Sequence, residues 1–531
     1  MPKSLFVIGI GGTGMRCIES FIHLCAMGLF DETDIHLLAL DTDKENGNFK
    51  RFKELQECYL KTKGVNKTRF SLKDSLFTAN IKDYTFSPNY FKTDTNNFEK
   101  LFHYDEAKSE DKQKTDVADL VLTKQVRQFD LKHGYRAQTH LGSLLMYHAI
   151  VENAKSDKGL NDFIQALVNA STGGEKPRVF IFGSVFGGTG ASSIPIIPKA
   201  LIKAANIVST AVNIEKNTYF GAILLTSYFS FPNEGDLASQ KVIATSDKFA
   251  MNSQAAMMFY EFDHTVKKTY QRFYMLGTGS IQWEPSRNKT QTITGGKDQE
   301  NDSHYIELFA AMAAYDFFNL PEEELETLKK ENTLDYLYRT IDESGKLTFS
   351  DFIGTKNKDL FAKKFGILVA MSYLALLDNY DFFQQAQNGN LSQVGISGYN
   401  DIDKEEIDNL KKYLNLFHFK IGSNDITDGW LRQLNRSAHG GDKFLFHPDL
   451  FSSGKRKEFE SFDFNDTLFQ KKSDLATHSF SKSLTFGSGS DRLFTAFKNE
   501  FMKTKDPESI TNRCEKLIKR TYDALCSLYK F

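Results

Sequence analysis

Two short stretches join glycine to threonine in a way that leaves backbone N–H groups bare. One is Gly9-Ile-Gly11-Gly12-Thr13-Gly14, and the other is Phe186-Gly187-Gly188-Thr189-Gly190-Ala191. Each follows a run suited to a buried strand, Ser4 to Ile8 or Val179 to Phe182, and each opens a helical pattern. A strand that turns through glycines into a helix aims unpaired N–H groups and the positive helix end at one point. Such a point attracts an anion, most often a phosphate. No lysine follows the glycines, which excludes the lysine-bearing phosphate loop. Either loop alone is weak evidence, since a glycine-rich turn can simply pack close to its neighbours; the case rests on there being two. Gly9-x-Gly11-x-x-Gly14 is also a dinucleotide fingerprint, although Asp41 lies farther on than the ~20 residues that fingerprint expects for its acid.

Other polar residues stand where chemistry is plausible. Asp41 and Asp43 end the strand pattern Ile35 to Leu40, and tips of parallel strands are where open α/β sheets bind ligands. The loop Gly134 to Gly142 precedes an apolar helix, and its Arg136 and His140 could face a phosphate or be structural. Ser230-Phe-Pro-Asn233-Glu234-Gly235 is a turn beyond another strand tip, Tyr219 to Leu225.

The elements that must position these residues alternate between strand and helix, which predicts an α/β fold with a mostly parallel sheet covered on both faces. With 531 residues, two or three domains are expected. A nucleotide-binding domain spans 1–285, with a polar insertion at about 50–134 read as solvated loops. An almost wholly apolar helix at 300–320, capped by Asp302 or Ser303, forms the core; a second α/β domain follows at 321–485 and a helical segment at 491–531. Lys and Arg number 66 against 68 Asp and Glu, a net charge of −2, so no electrostatic footprint for nucleic acid exists. No apolar run approaches a membrane span and Met-Pro-Lys-Ser opens no signal peptide, so membrane insertion is not expected and a cytoplasmic protein is. Five cysteines without a CxxC pair suggest neither a metal site nor a disulfide framework.

In this order, the elements resemble the tubulin/FtsZ superfamily of nucleotide-dependent cytoskeletal proteins. Phe186 to Ser192 is similar to that family's signature glycine loop, with its first and last glycines replaced, and Gly9 to Gly14 resembles the FtsZ branch. Ala39-Leu-Asp41-Thr42-Asp43 looks like the family's Asn-Thr-Asp, and Phe229 to Gly235 like the ribose-side loop. The helix beginning His304-Tyr305-Ile-Glu-Leu stands where the family has its core helix and suggests a divergent bacterial tubulin-like branch. The similarity covers about the first 320 residues.

The resemblance implies GTP or GDP as ligand, with both glycine loops holding phosphates and Gly142, Phe186 and Ala191 bordering them. Asp41 and Asp43 would act through Mg²⁺ and its waters, Asn233 or Glu234 would bond the ribose, and Tyr305 would stack on the base. Arg16 takes the place of the family's guanine-reading Asn, so guanine preference is open. Asp351 is the nearest candidate for the hydrolytic acid given to a neighbouring subunit, though the family's acidic motif around it is missing and an ordinary loop acid is the reading that its surroundings favour. The implied function is a GTPase assembling head-to-tail with itself into filaments, with another protein partner possible. Two alternatives stand beside it: a nucleotide-binding scaffold or sensor without hydrolysis, and a dinucleotide-dependent Rossmann-type enzyme.

Overall fold

The computed structural model describes residues 4–31, 33–43, 45–64, 74–90, 92–135, 137–210, 213–229, 248–278, 301–341, 350–376, 382–394, 396–399, 402–420, 427–431, 433–434, 439–440, 443–444, 490–508 and 510–528. Seven strands carry the fold: β1 (Ser4–Ile10), β2 (Asp34–Leu40), β3 (Asn80–Phe86), β4 (Arg178–Ser184), β5 (Tyr219–Leu225), β6 (Tyr270–Thr278) and β7 (Asp335–Ile341). They form one sheet in the order β3-β2-β1-β4-β5-β6-β7, and every pairing is parallel. The chain therefore has the α/β class and parallel sheet expected from its sequence.

The strands read as continuous apolar runs because both of their faces are covered. On β1, Leu5 and Val7 enter one apolar cluster while Phe6, Ile8 and Ile10 enter the other. The first cluster holds α1 (Gly11–Ala26) and α2 (Gly47–Gly64); the second holds α3 (Thr139–Asn153), α4 (Lys158–Thr172) and α6 (Ile197–Val208). Between α4 and α6 the short α5 (Gly188–Ser193) opens directly after β4.

The core helix is α7 (Tyr305–Asn319), buried along nearly its whole length against the first face of the sheet. Its cap is His304 rather than Asp302 or Ser303. His304 Nδ1 accepts from the Ile306 N–H, and Glu307 Oε2 accepts from the His304 N–H at 2.9 Å. Two residues seat its far end on the sheet. Gly221 leaves room for Phe317, whose ring would lie 2.8 Å from a Cβ there, and Arg178 Nη1 donates to the Phe317 and Phe318 carbonyls at 3.0 and 2.9 Å.

Three features depart from the sequence reading. The polar stretch at 50–134 is not simply loops, because it supplies most of α2 and the edge strand β3. Phe52, Leu55 and Tyr59 of α2 are buried among lysines that hide their periodicity, and β3 is half exposed as edge strands are. The sheet also runs past residue 285, since β7 follows the core helix and pairs with β6. Beyond it, α8 (Ser350–Leu376), α9 (Lys404–Phe417) and α10 (Arg513–Leu528) bring Phe365, Leu414 and Ile518 into the same apolar cluster as α1 and α7. The strands described after 341 are two residues each. No helix among the described residues is long and apolar enough to cross a membrane.

Candidate functional site

β1 and β4 are neighbours in register, with Gly9 opposite Phe182, so the two glycine turns emerge side by side. This is where the strand order reverses direction, the crevice that open α/β sheets use for ligands. Gly11, at φ +65°, takes a conformation that L side chains disfavour, and a Cβ on it would lie 3.5 Å from Thr189 Cβ. Neither α1 nor α5 has a side-chain bond from its N-cap residue or an acid in its first turn, so the N–H groups at both helix starts are without those two kinds of acceptor.

The turns divide the labour among their glycines. Gly9 and Gly14 permit close packing: a Cβ on Gly14 would meet the Gly9 carbonyl carbon at 2.7 Å, and one on Gly9 would meet Ile18 Cδ1 at 2.3 Å. Gly190 is pressed on Ser184, and Gly142 on Ser192 and Tyr135, so Gly142 serves the seating of α3 on α5. Gly12, Gly187, Gly188 and Thr189 are partly open to solvent, with Thr13 largely buried beside them. Phe186 is buried in a ring cluster with Tyr228, Phe229 and Phe249, and the Ala191 carbonyl accepts from the Tyr260 hydroxyl at 2.5 Å.

The tip of β2 joins the same crevice and brings residues that the sequence reading passed over. Thr42 Oγ1 and Thr189 Oγ1 lie 3.4 and 3.5 Å from the Cβ position of Gly134, which sits between them at φ +84°. Asn46 Nδ2 and Asn48 Nδ2 each lie 3.2 Å from that of Gly12. Thr42 Oγ1, Asn48 Nδ2 and Asp41 Oδ2 are buried without a hydrogen-bond partner among the described residues. Around a partly open cradle, such atoms are donors and acceptors that water or a polar ligand can satisfy. The one sequence signal was Asn46-Gly-Asn48 just beyond the Asp41–Asp43 tip.

Asp41 and Asp43 are both buried. Burial pushes the Asp41 carboxyl up to about 7; the Asp43 N–H on Asp41 Oδ1 works against this, and the Asp43 charge adds to it. Among the described residues no group of three or more His, Cys, Asp or Glu could hold a metal ion by itself. A hard cation shared with phosphates needs only one or two carboxylates, so Asp41 and Asp43 fit Mg²⁺ in that role only.

Two expected contacts fall elsewhere, and others lie outside the described residues. Arg16 is buried and bonds Glu307 and Tyr228, which leaves it facing the protein interior. Tyr305 is fully buried with its ring 4.3 Å from that of His304, so neither of its faces is open in the described structure. Asp351 lies in the first turn of α8 rather than on a loop, and its side chain is outside the described residues, as are Asn233, Glu234 and Arg136 altogether.

No protein-family model matches the chain, and no curated protein does. Among solved structures it is similar to the C-terminally truncated TubZ of Clostridium botulinum phage c-st, at 13% identity over 61% of this chain and 65% of that one. The likeness spans less than two-thirds of that protein, and its TM-score of 0.22 carries no argument about function.

Proposed function

We propose that the chain is a nucleotide-binding protein of tubulin/FtsZ type, a GTPase that assembles head-to-tail with itself. The observation that carries this is the juxtaposition of Gly11 and Thr189. Two strand–glycine–helix turns, 178 residues apart, meet at the switch point of one parallel sheet. N–H groups of the Gly11–Gly14 and Gly187–Gly190 turns would hold phosphate oxygens, with Thr13 and Thr189 hydroxyls adding bonds. Asn48 Nδ2 and Thr42 Oγ1 stand ready as further donors. Mg²⁺, held by the phosphates near Asp41 and Asp43, would offset their mutual repulsion. A nucleotide at strand tips lies at the surface, where a second copy could cover it and place Asp351 against it.

A dinucleotide-dependent enzyme remains the second reading. The order 3-2-1-4-5-6 within this sheet is that of dinucleotide folds, and Asp41 stands at the β2 tip where those folds place their ribose acid. Heat-denaturing the purified protein and identifying the released nucleotide separates the two. Guanine nucleotide supports the first reading; a nicotinamide or flavin dinucleotide would replace it with the second.

A further inference from the structure

Arg16 follows Gly14 by two residues, yet it is only 2% exposed and meets no solvent in the crevice. Its Nε donates to Glu307 Oε1 at 2.5 Å and its Nη2 to the Tyr228 hydroxyl at 2.6 Å. The Tyr228 hydroxyl in turn donates to Glu307 Oε1 at 2.6 Å. The guanidinium carbon also lies 5.3 Å from the centre of the Phe229 ring. Burial pulls its pKa down, but Tyr228 and Glu307 more than reverse this, so Arg16 stays charged. A second guanidinium works alongside it. Arg51 of α2 bonds Glu19 of α1, the Ser303 hydroxyl and the Asn301 carbonyl.

These contacts join three segments around the glycine turns: α1 one turn past Gly11, the chain after β5 at Tyr228, and residues 301–307 entering α7. The third segment borders the cradle directly, since the Asn301 N–H donates to Asn48 Oδ1 at 2.9 Å and Asn48 Nδ2 lies against Gly12. A buried ion pair contributes little net stability, because desolvation consumes most of its attraction. What it can provide is one fixed geometry. The glycine turns do not need it, being held by the β1–β4 pairing itself. The segments at Tyr228 and 301–304 lie outside any strand and are held by side-chain bonds rather than by strand pairing.

We infer that Arg16 is a positioning residue: through Glu307 and Tyr228 it fixes the walls beside the glycine turns at the separation that a nucleoside requires, while the phosphate cradle stands without it. The inference rests on reading the glycine turns as a nucleotide site. The test replaces the polar triad as a unit by apolar groups of similar volume, Arg16→Met, Tyr228→Phe and Glu307→Leu, in the full chain. Unfolding temperature and affinities for GTP and for inorganic tripolyphosphate are then measured. GTP affinity should fall about tenfold while tripolyphosphate affinity stays within about twofold and unfolding within about 5 °C. GTP affinity within about twofold of wild type, or equal losses for both probes, would overturn the inference. Should the triple variant fail to fold, Tyr228→Phe alone must still lower GTP affinity more than tripolyphosphate affinity; equal effects would again overturn it. If the wild-type protein binds neither probe, the nucleotide reading itself fails, a result distinct from those above.

Discussion

Thr189 stands against Gly11: a Cβ added to that glycine would lie 3.5 Å from Thr189 Cβ and 3.9 Å from its methyl carbon. The two residues belong to different glycine turns, and their approach places two uncapped helix starts at one crevice. Gly11→Val forces a β-branched residue to φ +65°, at a cost of about 1–2 kcal/mol, and fills the cradle. Titration calorimetry should show nucleotide binding lost in Gly11→Val and in Gly188→Val, with circular dichroism unchanged. Retained affinity in either variant would remove the shared phosphate site.

Gly14 makes a contrasting prediction, because its neighbour is backbone rather than open space. Its added Cβ would also lie 3.0 Å from the Phe182 carbonyl oxygen, so neither β1 nor β4 can yield cheaply. Gly14→Ala should destabilise the nucleotide-free protein by about 3 kcal/mol in denaturant unfolding. A variant as stable as wild type would show that α1 is not seated on β1 as described.

Arg178 links the start of β4 to the end of the core helix. Its Nη1 satisfies two carbonyls in the last turn of α7, where a cation also complements the helix dipole. Arg178→Met should cost about 2–3 kcal/mol, read by denaturant midpoint. It should leave the ratio of GTP to tripolyphosphate affinity unaltered, unlike the Arg16 triad.

Asp41 predicts a pH dependence of stability. Its folded pKa, about 7, lies above the ordinary 3.8, so the folded state keeps a proton that the unfolded chain has released. Stability contributed by that proton is present in full below pH ~4 and is lost progressively as pH rises to ~7. Asp41→Asn removes this loss. In the absence of nucleotide and Mg²⁺ the variant should match wild type near pH 4 and exceed it by roughly 2–4 kcal/mol at pH 8. An advantage that is equal at both pH values would show that Asp41 does not titrate as described.

Assembly is tested through Asp351. If a second copy completes the hydrolytic site, turnover per molecule should rise steeply with protein concentration, and light scattering should rise with added GTP. Asp351→Ala should keep nucleotide binding and assembly but lose turnover. Turnover that is flat with concentration, together with a fully active Asp351→Ala, would leave a nucleotide binder without this self-completing site.

What the sequence determined by itself is what local physics can write into a few consecutive residues. The apolar runs of β1, β4 and β5, the glycine turns and the all-round apolar α7 are such signals, since each depends on period, branching or the lack of a Cβ over a short stretch. Signals diluted by charge were legible only in part. The buried apolar positions of α2, Phe52, Leu55 and Tyr59, sit among lysines, and β3 shows one half-open face, so both passed for loop. Tertiary structure decided which strands are neighbours, and with that whether two turns 178 residues apart serve one crevice. It also decided the partners of individual polar side chains. An arginine beside a glycine turn has the same chemistry whether it reads a ligand or neutralises a buried acid. The choice was made by Glu307, 291 residues away, because packing α7 against α1 buried both charges together, where each needs the other.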